Sequence, residues 1–493
     1  MENAANKADS ENMVVPETPI TIICAALSTG LGGEKVSLAG SKTYNASVAS
    51  YFSQQQQAVQ PACVVSPQTT QDVSTAIRIL TSHTDGQWKF SIRSGGHASW
   101  AGASNIAGGV VIDIRALNSV DVHSDTSTVS VGAGAAWDDV YAKLDPVGLS
   151  VNGGRAAEVG VGGLTLGGGI SYFSPRYGWT CDTVTSLQIV LADASIVEVD
   201  AESDPALFQA LKGGNNNFGI VTRIDFRTFE QGLIWAGRVY NDLSLVDQVI
   251  AELVKIASAE AYDEYASMIV TFGYAQVQNM AVISSALDYT KAVESPPKYY
   301  QSFLEIPSLR NTSELVNMTS LAKTTREYSP QHPRSINRVL TLALTEPVLK
   351  AAYAAWDASL DKIRGVSNLV WALALEPLPP QIYARHAKEN ALGLTGRSKS
   401  LVVALLTITW SEASDDALVN EATHNLMAAI EDAARQIGGL DPYIYLNYAD
   451  KDQNPIASYG AASVSRLQEV RDRVDPRGVF THQVPGGFKI GGK

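Results

Sequence analysis

The sequence predicts an α+β protein of two domains, and two observations carry this prediction. The chain has 493 residues, which is too long for a single hydrophobic core. Up to residue 229, glycine-dense turns separate short apolar strands, whereas from 230 to 440 long amphipathic helices alternate with strand-like runs. We therefore expect a first domain from residue 19 to 229 and a second from 230 to 440. Residues 1–18 are expected to be a mobile tail.

In the first domain, local signals place each element. Thr69 or Thr70 can cap a helix that buries Val73, Ile77 and Leu80, and Trp137 and Leu144 mark a second amphipathic helix. Two apolar runs around Ala-Asp-Ala predict a hairpin, and Ile220–Phe226 alternates as a strand should. The other predicted elements are strands at 109–114 and 128–132, hairpin strands at 187–191 and 195–199, and a helix at 205–211.

The second domain has a different pattern. Its strands are separated by long helices and not by glycine turns, which indicates an antiparallel sheet covered on one face by helices. The predicted helices lie at about 245–258, 313–328, 346–363 and 415–437, and the strands at 268–274, 280–287, 369–375 and 401–410.

Composition narrows the class of partner. Hydrophobic residues make up 45% and charged residues 18% of the chain, which is ordinary for a soluble globular protein. The net charge of −13, without a cluster of Lys and Arg, argues against nucleic acid. The sequence has no apolar run of the roughly 20 residues that cross a bilayer, so we expect a small-molecule partner and no membrane.

The N-terminal region leaves the cellular compartment open. The apolar run at 20–27 could belong to a targeting segment, but it follows acidic residues where a signal peptide would be basic. The sequons at Asn45, Asn311 and Asn317 fit a secretory route. The alternative is a cytosolic protein in which Cys24, Cys63 and Cys181 are all reduced.

Two glycine stretches predict the functional site. Residues 91–97 read Ser-Ile-Arg-Ser-Gly-Gly-His, a strand that ends in a glycine turn and a histidine. Paired glycines allow backbone N–H groups to converge on an anion. The second stretch, 153–169, has eight glycines in seventeen residues with apolar residues between them, which is too apolar for a flexible linker. Together they predict backbone packed closely against a large flat or phosphorylated ligand.

Other nucleotide and metal sites fit less well. A dinucleotide fingerprint beginning at Gly160 would need a third glycine where Thr165 stands, and the phosphate-loop pattern ending in Gly-Lys-Ser/Thr is absent from the sequence. The seven histidines show no metal-ligand spacing, and we expect His424 to be structural, on a helix.

These stretches resemble the FAD-binding domain of the vanillyl-alcohol oxidase and p-cresol methylhydroxylase superfamily, and within it the fungal berberine-bridge-enzyme-like oxidases. Four further motifs carry the resemblance over nearly the whole chain: Tyr177–Val184, Phe218–Thr222, Tyr445–Tyr448 and Asp475–Phe480. The resemblance implies a two-part FAD-binding domain, to which the chain returns over 441–493, and an α+β substrate domain between the parts.

The resemblance also implies how the cofactor is held. His97 would be bonded to the 8α-methyl group of FAD, and Ala156 stands where many relatives carry a second, cysteine link, so a single covalent link is expected. Val159 would sit over the flavin C4a and leave space for O₂. The implied cofactor-binding residues are Arg93, Ser94, Gly95, Gly96, His97, Val159, Gly160, Gly163, Leu164, Gly167, Gly168, Asp182, Val184, Gly219, Ile220, Val221 and Asn447. The resemblance further implies a Cys24–Cys63 disulfide, with Cys181 free.

Two residues are candidates for catalysis. Tyr445 and Asn447 are one strand period apart and would share a face, with Asn447 near the flavin, Tyr445 over the substrate and Tyr448 turned into the core. Glu376 ends a strand-like run and could enter an apolar site as a base, or it could be a surface residue at the end of the strand. Ser99 and Ile170 stand where plant relatives have tyrosines, so the plant set of tyrosines is incomplete.

The resemblance implies an oxidase that removes hydride from a C–H next to O or N, or carries out a dehydrogenative cyclisation or desaturation. Electrons would pass to O₂, giving H₂O₂, in fungal secondary metabolism. Two alternatives remain at this point: an oligosaccharide oxidase of the same fold, and a non-redox cyclase or pericyclase on a flavoprotein scaffold.

Overall fold

The structure is a computed structural model that describes residues 19–82, 88–258, 260–293, 296–327 and 332–491. The predicted tail at 1–18 lies outside these residues. The described chain is a mixed helix and sheet protein, as the sequence predicted, and its strands form three sheets. Its α-helices are α1 Pro19–Leu31, α2 Lys42–Ala49, α3 Gln54–Gln57, α4 Thr70–Thr81, α5 Trp137–Leu144, α6 Val161–Leu166, α7 Ser174–Tyr177, α8 Pro205–Leu211, α9 Val246–Ile256, α10 Gln301–Leu304, α11 Met318–Glu327, α12 Glu346–Ser359, α13 Pro380–Tyr383, α14 Asp416–Gln436, α15 Ala461–Val474 and α16 Val479–His482.

The first sheet ends beside the glycine turn. Its order is β1-β2-β4-β3, with β3 parallel to β4, so that the turn at 94–96 leaves the C-terminal end of β3. The Cys24–Cys63 disulfide ties α1 to β2, as the resemblance implied, and Cys181 is free and buried. The strands are β1 Val36–Leu38, β2 Cys63–Val65, β3 Phe90–Arg93 and β4 Val110–Asp113.

The second sheet is antiparallel over its described strands and centres on a long strand, β10. The predicted hairpin is confirmed, because β8 and β9 pair from Ser186 to Val190 across a turn in which Ala194 has φ 68°. The predicted helix cap is also confirmed, since the Thr69 hydroxyl accepts from Asp72 N–H at the start of α4. The strands are β5 Val120–Val122, β6 Thr128–Gly132, β7 Leu149–Val151, β8 Val184–Val190, β9 Ile196–Asp200 and β10 Ile220–Glu230.

The third sheet has nine strands within the described residues, all antiparallel, in the order β14-β11-β13-β12-β17-β18-β16-β19, with β15 also on β11. One face packs on α9, α12 and α14, which bury Leu253, Trp356 and Leu426 against it. The predicted sheet covered on one face by helices is therefore confirmed. The strands are β11 Ile234–Asn241, β12 Ala266–Ala275, β13 Met280–Tyr289, β14 Arg310–Asn311, β15 Glu314–Val316, β16 Arg334–Ala343, β17 Val370–Leu378, β18 Leu401–Trp410 and β19 Leu440–Asp441.

Three local predictions from residue 230 onward need correction. β11 and β16 were missed, because polar residues such as Arg238 and Asn337 interrupt the apolar pattern where these strands face a cavity. The predicted helix at 313–328 begins only at Met318, since residues 314–316 pair with β11 as β15. Tyr445–Tyr448 is not a strand: residues 446–448 form a 3₁₀ turn that follows an extended Tyr445.

Candidate functional site

The two glycine stretches meet backbone to backbone. A Cβ at Gly160 would lie 2.2 Å from the Gly95 nitrogen, and one at Gly95 would lie 2.5 Å from the Gly160 nitrogen. Both distances are far below van der Waals contact, so only glycine fits at either position. Ser94 Oγ donates to the Ala133 carbonyl at 2.7 Å and fixes the turn on the second sheet.

A cavity of about 890 Å³ opens beside this contact, near the upper end of the range for small-molecule sites. The glycine stretches and the start of β10 form one wall, and the helix-free face of the third sheet forms the other. The predicted site residues on the cavity wall are Ser94, Gly95, Gly96, His97, Val159, Gly160, Gly163, Leu164, Gly219, Ile220, Val221, Glu376, Tyr445 and Asn447.

His97 lies on the glycine wall, with its half-buried ring stacked on Phe52 at 4.1 Å between centroids. Ala156 and Val159 lie on the same wall. Gly163 faces open space, with no heavy atom of the described residues within 4 Å of an added Cβ. A glycine backbone wall with a histidine beside it suits a large planar cofactor, so the residues present fit FAD.

Five predicted cofactor residues are not among the described residues that line the cavity. Arg93 is fully buried behind the turn, where its guanidinium lies 3.7 Å from the centre of the Tyr51 ring and donates to the Ser47 carbonyl. Gly167 and Gly168 pack behind α6, and an added Cβ at Gly167 would meet Asn447 Oδ1 at 2.0 Å. The positions of these residues indicate structural support; their cofactor contacts stay predictions.

Asp182 and Val184 are the other two predicted cofactor residues that do not line the cavity. Asp182 accepts from Trp179 N–H at 2.8 Å and from Asn390 Nδ2 at 2.8 Å, and burial raises its pKa to about 6. Val184 is the buried first residue of β8 and pairs with Phe226. Both therefore hold the strand and turn that follow the glycine stretch.

An ion pair that the sequence did not predict joins the two walls. Arg155 Nη2 lies 3.0 and 2.9 Å from the two Glu376 oxygens and 2.6 Å from Tyr448 Oη. Tyr448 in turn donates to Glu376 Oε1 at 3.0 Å. We call Arg155, Glu376 and Tyr448 the proton cluster.

The proton cluster corrects two expectations. Glu376 is not a surface residue at the end of a strand: it lies inside β17, opposite Val403, and is 4% exposed. Tyr448 does not turn into the core, because the 3₁₀ turn directs it into the cavity beside Tyr445, with ring centroids 4.8 Å apart. A carboxylate in an apolar strand requires a cationic partner, and Arg155 in the glycine stretch was the available signal.

The charges of Arg155 and Glu376, together with burial, decide the protonation state of the cluster. Burial acts to lower the pKa of Arg155, but Glu376, together with Tyr448 and Tyr172, raises the pKa above its ordinary value. Burial raises the pKa of Tyr448 well above 10, although Arg155 acts against it. The tyrosine therefore stays neutral at neutral pH, between a permanent cation and a carboxylate.

Tyr445 occupies a different position. Its hydroxyl oxygen accepts from Ile170 N–H at 3.0 Å and from Asn447 Nδ2 at 3.0 Å. Burial raises its pKa, so the phenol keeps its proton. Since both lone pairs are used, the hydroxyl can act on a ligand as a hydrogen-bond donor.

A second cluster lies away from the cavity. One ligand atom each from His424, Asp450 and Asp452 falls within 4.8 Å of the others, the kind of group that can hold a metal ion. Arg338 Nη1 lies 3.4 Å from Asp450 and 2.5 Å from Asp452, so the guanidinium already supplies a cation there. Elsewhere, none of the helices in the described ranges is long and apolar enough to span a bilayer.

The chain matches two known protein families. Residues 61–200 match the FAD binding domain family, and residues 444–485 match the berberine and berberine-like family. The chain is 35% identical over 477 residues to the FAD-dependent monooxygenase sdcF of Emericella nidulans, covering 95% of this chain and 98% of that protein. It is 46% identical over 469 residues to the oligopeptidase PhomG' of Diaporthe leptostromiformis, covering 94% of this chain but only 37% of that longer protein.

Solved structures share the fold. The 6-hydroxy-D-nicotine oxidase of Arthrobacter nicotinovorans superposes with a TM-score of 0.77 at 21% identity, over 92% of this chain and 97% of that one. A glucooligosaccharide oxidase of Acremonium strictum, described with a 6-S-cysteinyl, 8α-N1-histidyl FAD, gives 0.75 at 19% over 94% and 98%.

Two variants of Phl p 4 also match, with TM-scores of 0.77 and 0.76 at 15% and 16% identity, over 95% of this chain and 99% of theirs. One is described as a glucose dehydrogenase, and the other, with an additional isoleucine-to-valine change, as a glucose oxidase. From the sequence matches and the shared fold, the chain belongs to the berberine-bridge-enzyme-like family of FAD-dependent oxidoreductases.

Proposed function

We propose that this protein is an oxidase that acts on a small organic substrate. It removes hydride from a C–H next to O or N, or it carries out a dehydrogenative cyclisation or desaturation. When bound, FAD would accept the hydride and pass the electrons to O₂, giving H₂O₂. The observation that carries the proposal is that one cavity joins the glycine wall with His97 to the proton cluster. A fungal tailoring step in secondary metabolism fits the fungal source of the relatives.

The glycine wall would hold FAD through a single covalent link at His97. Ala156 has no nucleophile, and Cys181 is buried outside the set of residues that line the cavity. Protein precipitated in acid should therefore stay yellow, whereas His97→Ala should release FAD into the supernatant. A flavinylated peptide that contains cysteine would contradict the single link.

The proton cluster supplies the acid–base step. As hydride leaves carbon, the adjacent O–H or N–H of the substrate must lose its proton. We assign its acceptance to Tyr448 Oη, while the proton of Tyr448 moves along its 3.0 Å hydrogen bond to Glu376 Oε1. Tyr448 gains one proton and gives one up, so it ends neutral, while Glu376 ends with the proton that the substrate has lost.

Arg155 orients this transfer because it bonds both other members of the cluster. Tyr445, the residue first predicted for this role, is assigned as a donor that positions the substrate oxygen. Its neutral O–H, held by Ile170 and Asn447, suits hydrogen-bond donation better than proton acceptance.

Val159 supports O₂ as the acceptor. It lies on the glycine wall, and valine leaves more space there than a leucine or isoleucine.

The decisive experiment mixes the holoenzyme with candidate aromatic and heterocyclic alcohols and amines without O₂, and then admits ¹⁸O₂. A true substrate should bleach the flavin absorbance, and each product should be matched by one H₂O₂ with no ¹⁸O in the product. Incorporation of ¹⁸O would indicate a monooxygenase, as the names of several relatives state. Turnover without bleaching would indicate the non-redox cyclase.

An oligosaccharide oxidase remains the second redox candidate because of its shared fold. Ala156 argues against it, because this residue stands where the doubly linked sugar oxidases carry the cysteine link. The sheet wall itself is mixed, with Arg238, Asp288 and Asn337 beside Ile269 and Ala286. Oxidation of cellobiose or xylobiose at rates above those of aromatic alcohols would reverse this preference.

The disulfide supports a secretory route. Asn45 and Asn311 are exposed and could carry glycans there. Glycosidase treatment of protein from its native host should reduce its apparent mass; an unchanged mass, with all three cysteines alkylated under native conditions, would favour the cytosol.

A further inference from the structure

A buried carboxyl group lies on the sheet wall away from the proton cluster. Asp288 is on β13, on the same face as Ala286 and opposite Ala236 of β11, and all three line the cavity. Its chain neighbour Leu287 points to the helix-covered core on the other face. The Asp288 side chain is therefore directed into the cavity.

The separation from Glu376 follows from the strand register. β12 lies between β13 and β17, so two strand spacings separate Asp288 from Glu376. Asp288 pairs with Ser267 of β12, and because Val270 pairs with Leu375, Glu376 lies opposite Ile269, two residues further along β12. Two spacings of about 4.8 Å and an offset of two residues put the Cα atoms roughly 12 Å apart. The face between them carries Ile269, Ala286 and Ala374, which leaves room for a flat molecule.

The carboxyl group of Asp288 lacks a hydrogen-bond partner among the described residues. The residue is 3% exposed, and its carboxyl group receives no hydrogen bond from any residue the structure describes. Burial raises its pKa to about 7, although Arg238 and Arg155 act in the opposite direction. A buried polar group without a partner is unfavourable, and groups of this kind in a binding cavity are commonly completed by the ligand.

Arg238 lies beside it on the same wall. Its side chain lines the cavity, with Nη1 3.4 Å from Ser284 Oγ, and its charge acts on Asp288. The neighbouring cation disfavours an ammonium group at Asp288, and the carboxylates of Asp288 and Glu376 disfavour an anionic ligand. A neutral hydroxyl suits both residues, since it donates to Asp288 and accepts from Arg238.

Resting on the oxidase assignment, we propose that Asp288 and Arg238 form a recognition subsite for a hydroxyl group at the end of the substrate opposite the reacting carbon. The substrate class is then a flat molecule with oxygen functions at both ends. One end meets the proton cluster, and the other meets Asp288.

The test compares two binding probes, 2,6-dihydroxynaphthalene and 2-naphthol, which differ by the second hydroxyl. Oxidised holoenzyme is titrated with each probe, and binding is read from the shift of the flavin spectrum. The wild type should bind the diol about ten times more tightly or better, as expected for a hydrogen bond to a buried polar group. Asp288→Leu and the smaller Asp288→Ala should reduce this ratio to below about three.

Asp247→Asn is the matched control, because it removes a carboxylate from the exposed side of α9 and should keep the wild-type ratio. Equal affinity of the wild type for both probes would overturn the subsite. An undiminished ratio of diol to 2-naphthol affinity, in either Asp288 variant that retains flavin, would also overturn the subsite. These titrations need no turnover, so failure of the subsite leaves the H₂O₂ result standing, and an absence of H₂O₂ leaves the binding ratio standing.

Discussion

The two walls of the cavity are built in opposite ways. On the glycine wall, Gly95 and Gly160 touch through their backbones, so backbone atoms form this part of the surface. On the sheet wall, side chains from neighbouring strands form the surface. On the same face of β12, beyond the residues that line the cavity, an added Cβ at Gly273 would meet no described atom within 4 Å. Where Gly95 and Gly160 touch, the glycine wall therefore tolerates no larger residue, whereas the sheet wall can change its chemistry without changing its backbone.

The largest expected effect is therefore at the glycine wall. Gly160→Ala places a methyl group against the Gly95 backbone, which cannot move aside, and should cost about 3 kcal/mol or more in stability. We expect a lower unfolding temperature and loss of bound FAD. Gly273→Ala, the matched change on the sheet wall, should leave both within error; equal behaviour of the two variants would remove the contrast between the walls.

The next effect concerns the sheet wall and the C-terminal turn. Tyr448→Phe and Glu376→Gln remove successive steps of the proton route, and each should slow flavin reduction by about 10²–10⁴-fold with the flavin spectrum unchanged. Stopped-flow absorbance with the true substrate measures this. Tyr445→Phe should slow reduction less, because the residue donates without accepting the proton. A larger loss for Tyr445→Phe than for Tyr448→Phe would return the acid–base role to Tyr445.

A smaller effect is expected at Val159, where the glycine wall presents a side chain. Val159→Leu should slow reoxidation of the reduced flavin by air several-fold because it fills the space left for O₂, while flavin reduction stays unchanged. Val159→Ala, which keeps that space, is the control and should reoxidise as fast as the wild type. Wild-type flavin that stays reduced for minutes in air would identify a dehydrogenase.

The last effect is on stability and comes from Asp288. Burial raises its pKa in the folded protein to about 7, above the value of about 3.9 in an unfolded chain. Its favourable contribution is thus fully present below about pH 3.9 and is lost as the pH rises through about 7.

Asp288→Asn cannot ionise, so it should gain stability relative to the wild type between pH 5 and 8, by up to a few kcal/mol. Thermal unfolding across this range measures the difference, with Asp247→Asn as the control. A difference that does not grow with pH would show that Asp288 is not held in the raised state.

The sequence was sufficient where a local pattern has a local cause. The glycine spacing predicted the cofactor wall because close backbone approach requires glycine wherever the chain runs. Periodicity predicted α4, α5 and α8 and four of the nine described strands of the helix-covered sheet, namely β12, β13, β17 and β18. Polar residues on a cavity face concealed β11 and β16, since an interior polar face removes the alternation on which such predictions depend.

The sequence by itself therefore determined the family and the glycine wall, because both are carried by residue types at fixed spacings, and the resemblance to that family implied the disulfide. Only the tertiary structure joined Arg155, Glu376 and Tyr448, which lie in three separate stretches of the chain, and only it turned Tyr448 into the cavity through a 3₁₀ turn. It also placed Asp288 roughly 12 Å from Glu376 through the register of three strands. The physical reason is that pairing across a sheet depends on the packing of both faces together, which no short window of sequence contains.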